Sequence, residues 1–163
     1  MEQKGNSIKD YQLVIFKIGK EEFGVEIGEV KEIVRMLPVT YVPRAPSFVE
    51  GVINLRGQIL VLIDLAKRLN LKSIGRSEKT RIIVVDVEGS SIGMVVDEVT
   101  EVLRLSKDNI EEPPQIIATD IHQRYIKGVG KWGERLFIII DLAKILSFEE
   151  VEEIKRTEFK EKV

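Results

Sequence analysis

Residues 48–69 read FVEGVINLRGQILVLIDLAKRL, and the order of residue types within them decides the fold. A helical or turn-like lead-in is expected up to Gly51, followed by a short apolar strand over 52–55. Arg56-Gly57 interrupts that strand, and the nearly unbroken apolar run from Ile59 to Ile63 follows, a pattern that suits two strands joined by a tight turn. Asp64 ends the run and opens a short helical turn over 65–69. This scaffold returns later in the chain, but the arginine at its tip does not.

Working outward, β-branched and aromatic residues predict strands over 11–18 and 21–27, joined by a turn at Gly19-Lys20. Residues 29–35 fit either a helical face or a strand, and are read as a short turn followed by a strand. Pro38, Pro43 and Pro46 exclude a regular helix from 37–47 and predict an ordered surface loop. Beyond a polar connector over 72–79, strands are expected over 80–87 and 91–96, and 98–105 repeats the ambiguity of 29–35. A loop containing Pro113-Pro114 fills 106–124, two more strands lie within 128–140, and Asp141 begins another helical turn. Ser147 with Glu150 three positions on is a capping-box pattern. It predicts a C-terminal helix over 148–157, with Phe148, Val151 and Ile154 as a narrow apolar stripe packed loosely on the rest. Residues 1–10 are polar and expected to be mobile.

The chain repeats itself. FGVEIGEVKEIVR over 23–35 aligns with IGMVVDEVTEVLR over 92–104, with Gly24/Gly93, Glu29/Glu98, Val30/Val99, Glu32/Glu101 and Arg35/Arg104 identical. Residues 48–69 align with 125–146, matching Gly51/Gly128, Val52/Val129 and IDLAK at 63–67 and 140–144. The change of spacing between the two blocks falls in loops, where insertions cost little. The copies run from about 11 to 71 and from about 80 to 146. Short strands with few long helices predict a mainly β protein of two small barrels. Each copy is marginal for a core of its own, so a shared apolar interface is expected, with exchange of strands between copies left open.

The duplication separates scaffold from candidate function. Asp64 and Asp141, present in both copies, read as N-caps of the turns that follow. The paired glycines 24/93 and 51/128 read as places of close backbone approach or positive φ. Glu32 and Glu101 fit solvated strand positions as well as a contact role. Arg56-Gly57 differs, because Gly133-Glu134 stands in its place in the second copy. Either Gly57 supplies left-handed geometry while Arg56 merely faces water, or the turn holds a guanidinium fork for a partner's carboxylate or carbonyl.

Composition closes off several chemistries. With 44% hydrophobic and 32% charged residues the chain has the balance of an ordinary globular protein. The absence of cysteine excludes disulfides, cysteine-held zinc, iron–sulfur clusters and thiol catalysis. A net charge of −2 argues against a nucleic-acid binder, which needs a concentrated basic face. A small-barrel nucleic-acid or ligand module is the alternative class, and it lacks a basic-aromatic stripe. No apolar run approaches the ~18–20 residues that cross a bilayer, and MEQKGNSIKD has no signal-peptide core, so a cytoplasmic protein without direct membrane insertion is expected. His122 is the only histidine, no catalytic or phosphate-loop motif is present, and GVGKWG over 128–133 has the wrong glycine spacing for a nucleotide. Trp132 in that segment is expected to cover a barrel end. No enzyme, metal or cofactor is indicated.

Taken together, FGVEIGEVKEIVR, VPRAPSFVEGVINLRGQILVLIDL, IGMVVDEVTEVL and YIKGVGKWGERLFIIIDLAKIL resemble the CheW-like coupling family of bacterial chemotaxis, over about residues 11–146. The resemblance implies two five-stranded SH3-like barrels joined through a third core, without catalysis. It implies an adaptor between the cytoplasmic tips of methyl-accepting chemoreceptors and the regulatory domain of the histidine kinase CheA, in receptor arrays at the inner membrane. Receptor-contact positions of the family fall on Val30, Glu32, Ile33, Gly51 and Arg56, with Gly57 completing the turn. Gly93, Val99, Val102 and Gly128 match positions linked to coupling, through folding or the groove between barrels. The chain has room for neither a kinase core nor a receiver domain, as in the fused members, so a stand-alone adaptor is expected. Residues beyond 146 match no family motif.

Overall fold

In the computed structural model, which describes residues 10–112 and 124–162, the 48–69 stretch forms β4 (Val49–Leu55), β5 (Gln58–Asp64) and α1 (Leu65–Leu69). The strand begins earlier than the sequence suggests. Val49 already pairs with Ile63, and a bulge between Val49 and Gly51 gives the segment its turn-like character. The remaining strands are β1 (Asp10–Ile18), β2 (Glu21–Glu26), β3 (Val30–Arg35), β6 (Arg81–Val87), β7 (Ser90–Val96), β8 (Glu98–Ser106), β9 (Ile110–Glu111), β10 (Ile126–Trp132) and β11 (Arg135–Ile140). Of the ambiguous segments, 29–35 is a short turn followed by a strand, Glu29 closing a 3-10 turn before β3, and 98–105 is strand throughout, both on β-branched runs. Residues 1–9 of the N-terminal tail, Pro113-Pro114 and His122 lie outside the described residues, and Asp10 already belongs to β1.

Two sheets result, ordered β8-β1-β2-β11-β10-β9 and β3-β6-β7-β5-β4. Each draws strands from both halves of the sequence, so the 72–79 connector divides the repeats but not the sheets. The sixth strand of the first sheet arises because a 3-10 turn, Lys107–Asn109, splits one path into β8 and β9. Each sheet curls until its ends meet. In the first, β9 returns to β10 through Glu111 opposite Val129. In the second, Thr40 exchanges backbone hydrogen bonds of 2.8 and 2.9 Å with Val52, the repeat equivalent of Val129.

These closures explain the repeated glycines. A Cβ on Gly51 would lie 2.4 Å from the Thr40 carbonyl oxygen, and one on Gly128 would lie 2.8 Å from that of Glu111. A side chain at either position pushes the closing strand away. Gly93 answers to packing instead, since a Cβ there would lie 2.6 and 2.7 Å from methyls of Leu62 and Ile82.

Leu13, Ile15, Leu103, Leu105, Phe137 and Ile139 fill one barrel, and Ile53, Leu60, Leu62, Ile82, Val84 and Val95 fill the other. A larger core lies between them, built on the outer faces of both sheets. The duplicated aspartates act as caps: Asp64 accepts from the Lys67 N–H at 3.3 Å and Asp141 from the Ala143 N–H at 3.1 Å. The capping box closes reciprocally, with Ser147 N–H donating to Glu150 at 2.7 Å and Glu150 N–H to Ser147 Oγ at 3.2 Å. It starts α2 (Phe148–Lys162), longer than expected. Nor is α2 loosely attached, since Val151 and Ile154 are buried in the central core.

Candidate functional site

The β4–β5 connection has two residues, with Leu55 paired to Gln58. Right-handed strand twist suits a turn whose central residues both have positive φ. Here Arg56 has φ 51° and Gly57 φ 88°. Gly57 adopts this freely, whereas Arg56 carries the steric cost of a Cβ. The Asn54 side chain accepts from the Gly57 N–H at 2.8 Å and stiffens the turn. Arg56 is thus held on a rigid projection rather than hanging into solvent.

Its partner comes from another strand. Glu32 on β3 accepts from Arg56 Nη2 at 2.5 Å, with the arginine side chain 67% exposed and the glutamate 35%. A guanidinium has five N–H donors, so this pair leaves the outer edge of the fork for a partner. Lys31, Leu55, Gln58 and Ser91 join Arg56 and Glu32 around a cleft of about 280 Å³. Lys31 is itself tied to Asp86 at 3.3 Å and Ser91 at 2.8 Å, which fixes one wall.

The other expected site residues are distributed more widely. Ile33, 37% exposed, follows Glu32 on β3 but faces the other side of the sheet, opposite Ile83, while Glu32 pairs with Val84; Val30 packs partly against the central core. Gly51 is buried beneath Thr40 and presents no surface of its own. On the first sheet Val102 is 50% exposed while Val99 packs on the central core. Gly93 and Gly128 are buried, so their contribution runs through packing.

Sequence comparison missed an echo of the site. Glu101, the repeat equivalent of Glu32, accepts from Arg135 Nη2 at 2.8 Å, and Glu22 adds a second carboxylate at 3.1 Å. The hydrogen bonds that Arg135 donates to Glu101 and then to Glu22 raise its pKa. Arg135 aligns with Gln58 rather than Arg56, so the pairing is invisible position by position. It begins β11 and does not sit on a left-handed turn. Trp132, paired with Arg135 across the Gly133-Glu134 turn, leaves 43% of its surface exposed.

A third charged cluster joins the halves. Lys127 on β10 reaches Glu26 at 2.7 Å and Glu29 at 2.8 Å. Burial alone lowers a lysine pKa, but the hydrogen bonds that Lys127 donates to Glu26 and Glu29 outweigh it and Lys127 is pushed up to about 12. Glu29 is shifted upward by its own burial, against the pull of Lys127. Among the described residues no cluster of His, Cys, Asp or Glu could hold a metal ion, and no helix is long and apolar enough to cross a membrane.

A family profile described as the CheW-like domain matches residues 12–150. The chain is 35% identical over 150 residues to the chemotaxis protein CheW of Treponema pallidum (strain Nichols), covering 90% of this chain and 88% of that one. It is 37% identical over 140 residues to the chemotaxis protein CheW of Klebsiella aerogenes, covering 86% and 84%. Among solved structures, the scaffolding protein TtCheW of Thermoanaerobacter tengcongensis superposes with a TM-score of 0.77 at 36% identity, covering 86% of this chain and 90% of that one.

Proposed function

The chain belongs to the CheW-like domain family and is a chemotaxis scaffold, and from that premise we propose that it couples chemoreceptor cytoplasmic tips to the histidine kinase CheA without catalysing a reaction. The observation that carries this reading is the Arg56–Glu32 pair on its left-handed turn. An arginine kept in a costly backbone conformation, and oriented by a carboxylate from another strand, suits recognition better than stability.

In this reading one face grips the helical receptor tip. Arg56 and Glu32 provide polar specificity, Gly57 allows close approach, and Ile33 and Val30 are the apolar anchors on β3. Gly51 acts beneath them by letting the Thr40 strand close. Val102 and Val99 extend the contact onto the other barrel, with Gly93 and Gly128 supporting it through packing. A separate surface docks on the CheA regulatory domain. Each contact buries on the order of 800 Å² per partner, with a few anchors carrying most of the energy. The protein works in the cytoplasm, at receptor arrays on the inner membrane, and needs no cofactor.

Because the mechanism is geometric, its test is bridging. Receptor fragments and CheA are sedimented together with and without this chain. The expected result is that CheA enters the receptor pellet in proportion to the chain added. CheA recruitment independent of the chain contradicts the reading.

A further inference from the structure

The duplication makes two matching grooves between the barrels, and α2 occupies only one of them. On one side α2 packs on β5 and carries Val151 and Ile154 into the core shared by Phe48, Val61, Ile63, Ile92 and Leu146. Glu150 fastens it to Arg68 at 3.3 Å, and the Arg68 guanidinium lies 5.9 Å from the centre of the Phe48 ring. The repeat equivalents of those five core residues are Tyr125, Ile138, Ile140, Phe23 and Leu69. Together with Ile126 they line an open groove of about 230 Å³ on the opposite side.

The chain takes a different path there. Leu71, equivalent to the first residue of α2, leads into the connector instead of a helix. Asp97 holds that connector against the β1–β2 turn, accepting from Ser73 Oγ at 2.6 Å, Ile74 N–H at 3.0 Å and Gly19 N–H at 2.7 Å. Two further depressions adjoin the groove at Glu21. They end in Ile74 and Leu136, which are 66% and 62% exposed, so the apolar surface continues past the groove in both directions. Scattered exposed aliphatics need no explanation, but a continuous apolar trough with exposed ends marks an interaction surface.

Its rim selects the partner's charge. Lys20 and Lys72 border one depression, and Lys17 and Lys20 the other. None of the three makes an ion pair among the described residues; of the two glutamates that share the lining, Glu22 is engaged by Arg135, so Glu21 is the one carboxylate set against three lysines. The helix that fills the matching groove is acidic around its apolar pair, reading EEVEEI over 149–154.

We propose that this open groove is a second docking site, for an amphipathic helix of a partner protein that carries two aliphatic residues three positions apart flanked by acidic ones. Two such residues meet the groove floor as Val151 and Ile154 meet theirs, while the flanking carboxylates meet Lys17, Lys20 and Lys72. The site lies apart from the Arg56–Glu32 cleft and shares no lining residue with it.

The probe is a synthetic peptide with the sequence of residues 147–162, titrated into the full-length protein and followed by amide and methyl NMR shifts. Saturable shifts centred on Leu71, Ile126 and Ile138 are expected. Ile74→Glu and Leu136→Glu, both at exposed positions, should each weaken binding about ten-fold, equivalent to roughly 1.4 kcal/mol, with the melting temperature unchanged. Lys20→Glu should weaken it as well. Raising the salt from about 0.1 M to 1 M, which cuts the screening length from about 10 Å to about 3 Å, should do the same. Shifts centred on Phe48, Val61 and Ile92 mean that the peptide merely displaces α2, and overturn the proposal. So does the absence of saturable shifts, or binding indifferent to all three substitutions.

Discussion

The Arg56 guanidinium meets the Glu32 carboxylate at 2.5 Å, joining the β4–β5 turn to β3 across 24 residues of sequence. The contact is exposed, so its Coulomb energy is small and largely screened. Its consequence is orientation, because it fixes which edge of the guanidinium faces outward. The equivalent glutamate in the other barrel, Glu101, is also paired with an arginine, but that arginine reaches it from a strand and shares itself with Glu22. The two barrels therefore offer similar charges with different presentation, and only Arg56 projects from a turn.

Removing that projection should separate binding from stability. Arg56→Gly relieves a left-handed residue whose strain is on the order of 1 kcal/mol, so its melting temperature should equal or exceed that of the wild type. Receptor affinity should fall at least about ten-fold, or roughly 1.4 kcal/mol. Calorimetry and sedimentation on one preparation check both halves. A marked loss of stability would make Arg56 a structural residue.

Gly51 should behave in the opposite way. Gly51→Ala places a Cβ against the Thr40 carbonyl at a backbone angle of φ 148°, and should cost roughly 2–3 kcal/mol through overpacking and strain. Gly128→Ala should be destabilising through the equivalent contact with Glu111. Urea titration measures both. If Gly51→Ala loses receptor binding at wild-type stability, the glycine touches the partner directly.

The two capping aspartates should act on stability without preference for a partner. Asp141→Ala should cost about 1 kcal/mol. Asp64→Ala should cost somewhat more, since Asp64 also meets Arg76 at 3.3 Å, and Arg76 in turn holds Glu50 at 2.8 Å. Denaturant midpoints with parallel binding to receptor and CheA fragments check this. Selective loss of one partner contradicts a capping role.

Lys127 gives a pH dependence with a definite sign. Its folded pKa, about 12, lies above the ordinary value of 10.5. Its stabilising contribution is therefore fully present below about pH 10.5 and disappears as pH rises towards 12. Tyr125, whose pKa is raised by burial, also destabilises the fold when it ionises at high pH. Subtracting the alkaline denaturation curve of Lys127→Met from that of the wild type isolates the lysine. The difference should shrink across this window, and a difference constant with pH contradicts the assignment.

Much of this architecture is legible in the sequence because short apolar runs are cut by residues with narrow meanings. Arg56-Gly57 between two apolar runs indicates a hairpin, and Asp64 and Asp141 before helical turns indicate caps. Gly51 and Gly128 are legible as constrained positions only because the chain repeats them. What the pattern does not carry is spatial assignment. Both copies have the same alternation, so nothing in it tells which hairpin joins which sheet. The Arg135–Glu101 pair escapes for a related reason: side-chain reach, not aligned position, brings these groups together. The stripe through Val151 and Ile154 looks narrow among its acidic neighbours and suggests loose packing. Its burial depends on a groove that exists only after the two barrels meet.

The most direct test of receptor recognition through the Arg56 tip is quantitative co-sedimentation of wild type and Arg56→Glu with receptor fragments and, separately, with CheA. The reversed charge repels Glu32 and any carboxylate on the partner while leaving both cores untouched. Arg56→Glu is expected to lose receptor binding by at least about ten-fold, or roughly 1.4 kcal/mol, and to bind CheA like the wild type. Unchanged receptor binding, or equal loss of both partners, would contradict the account.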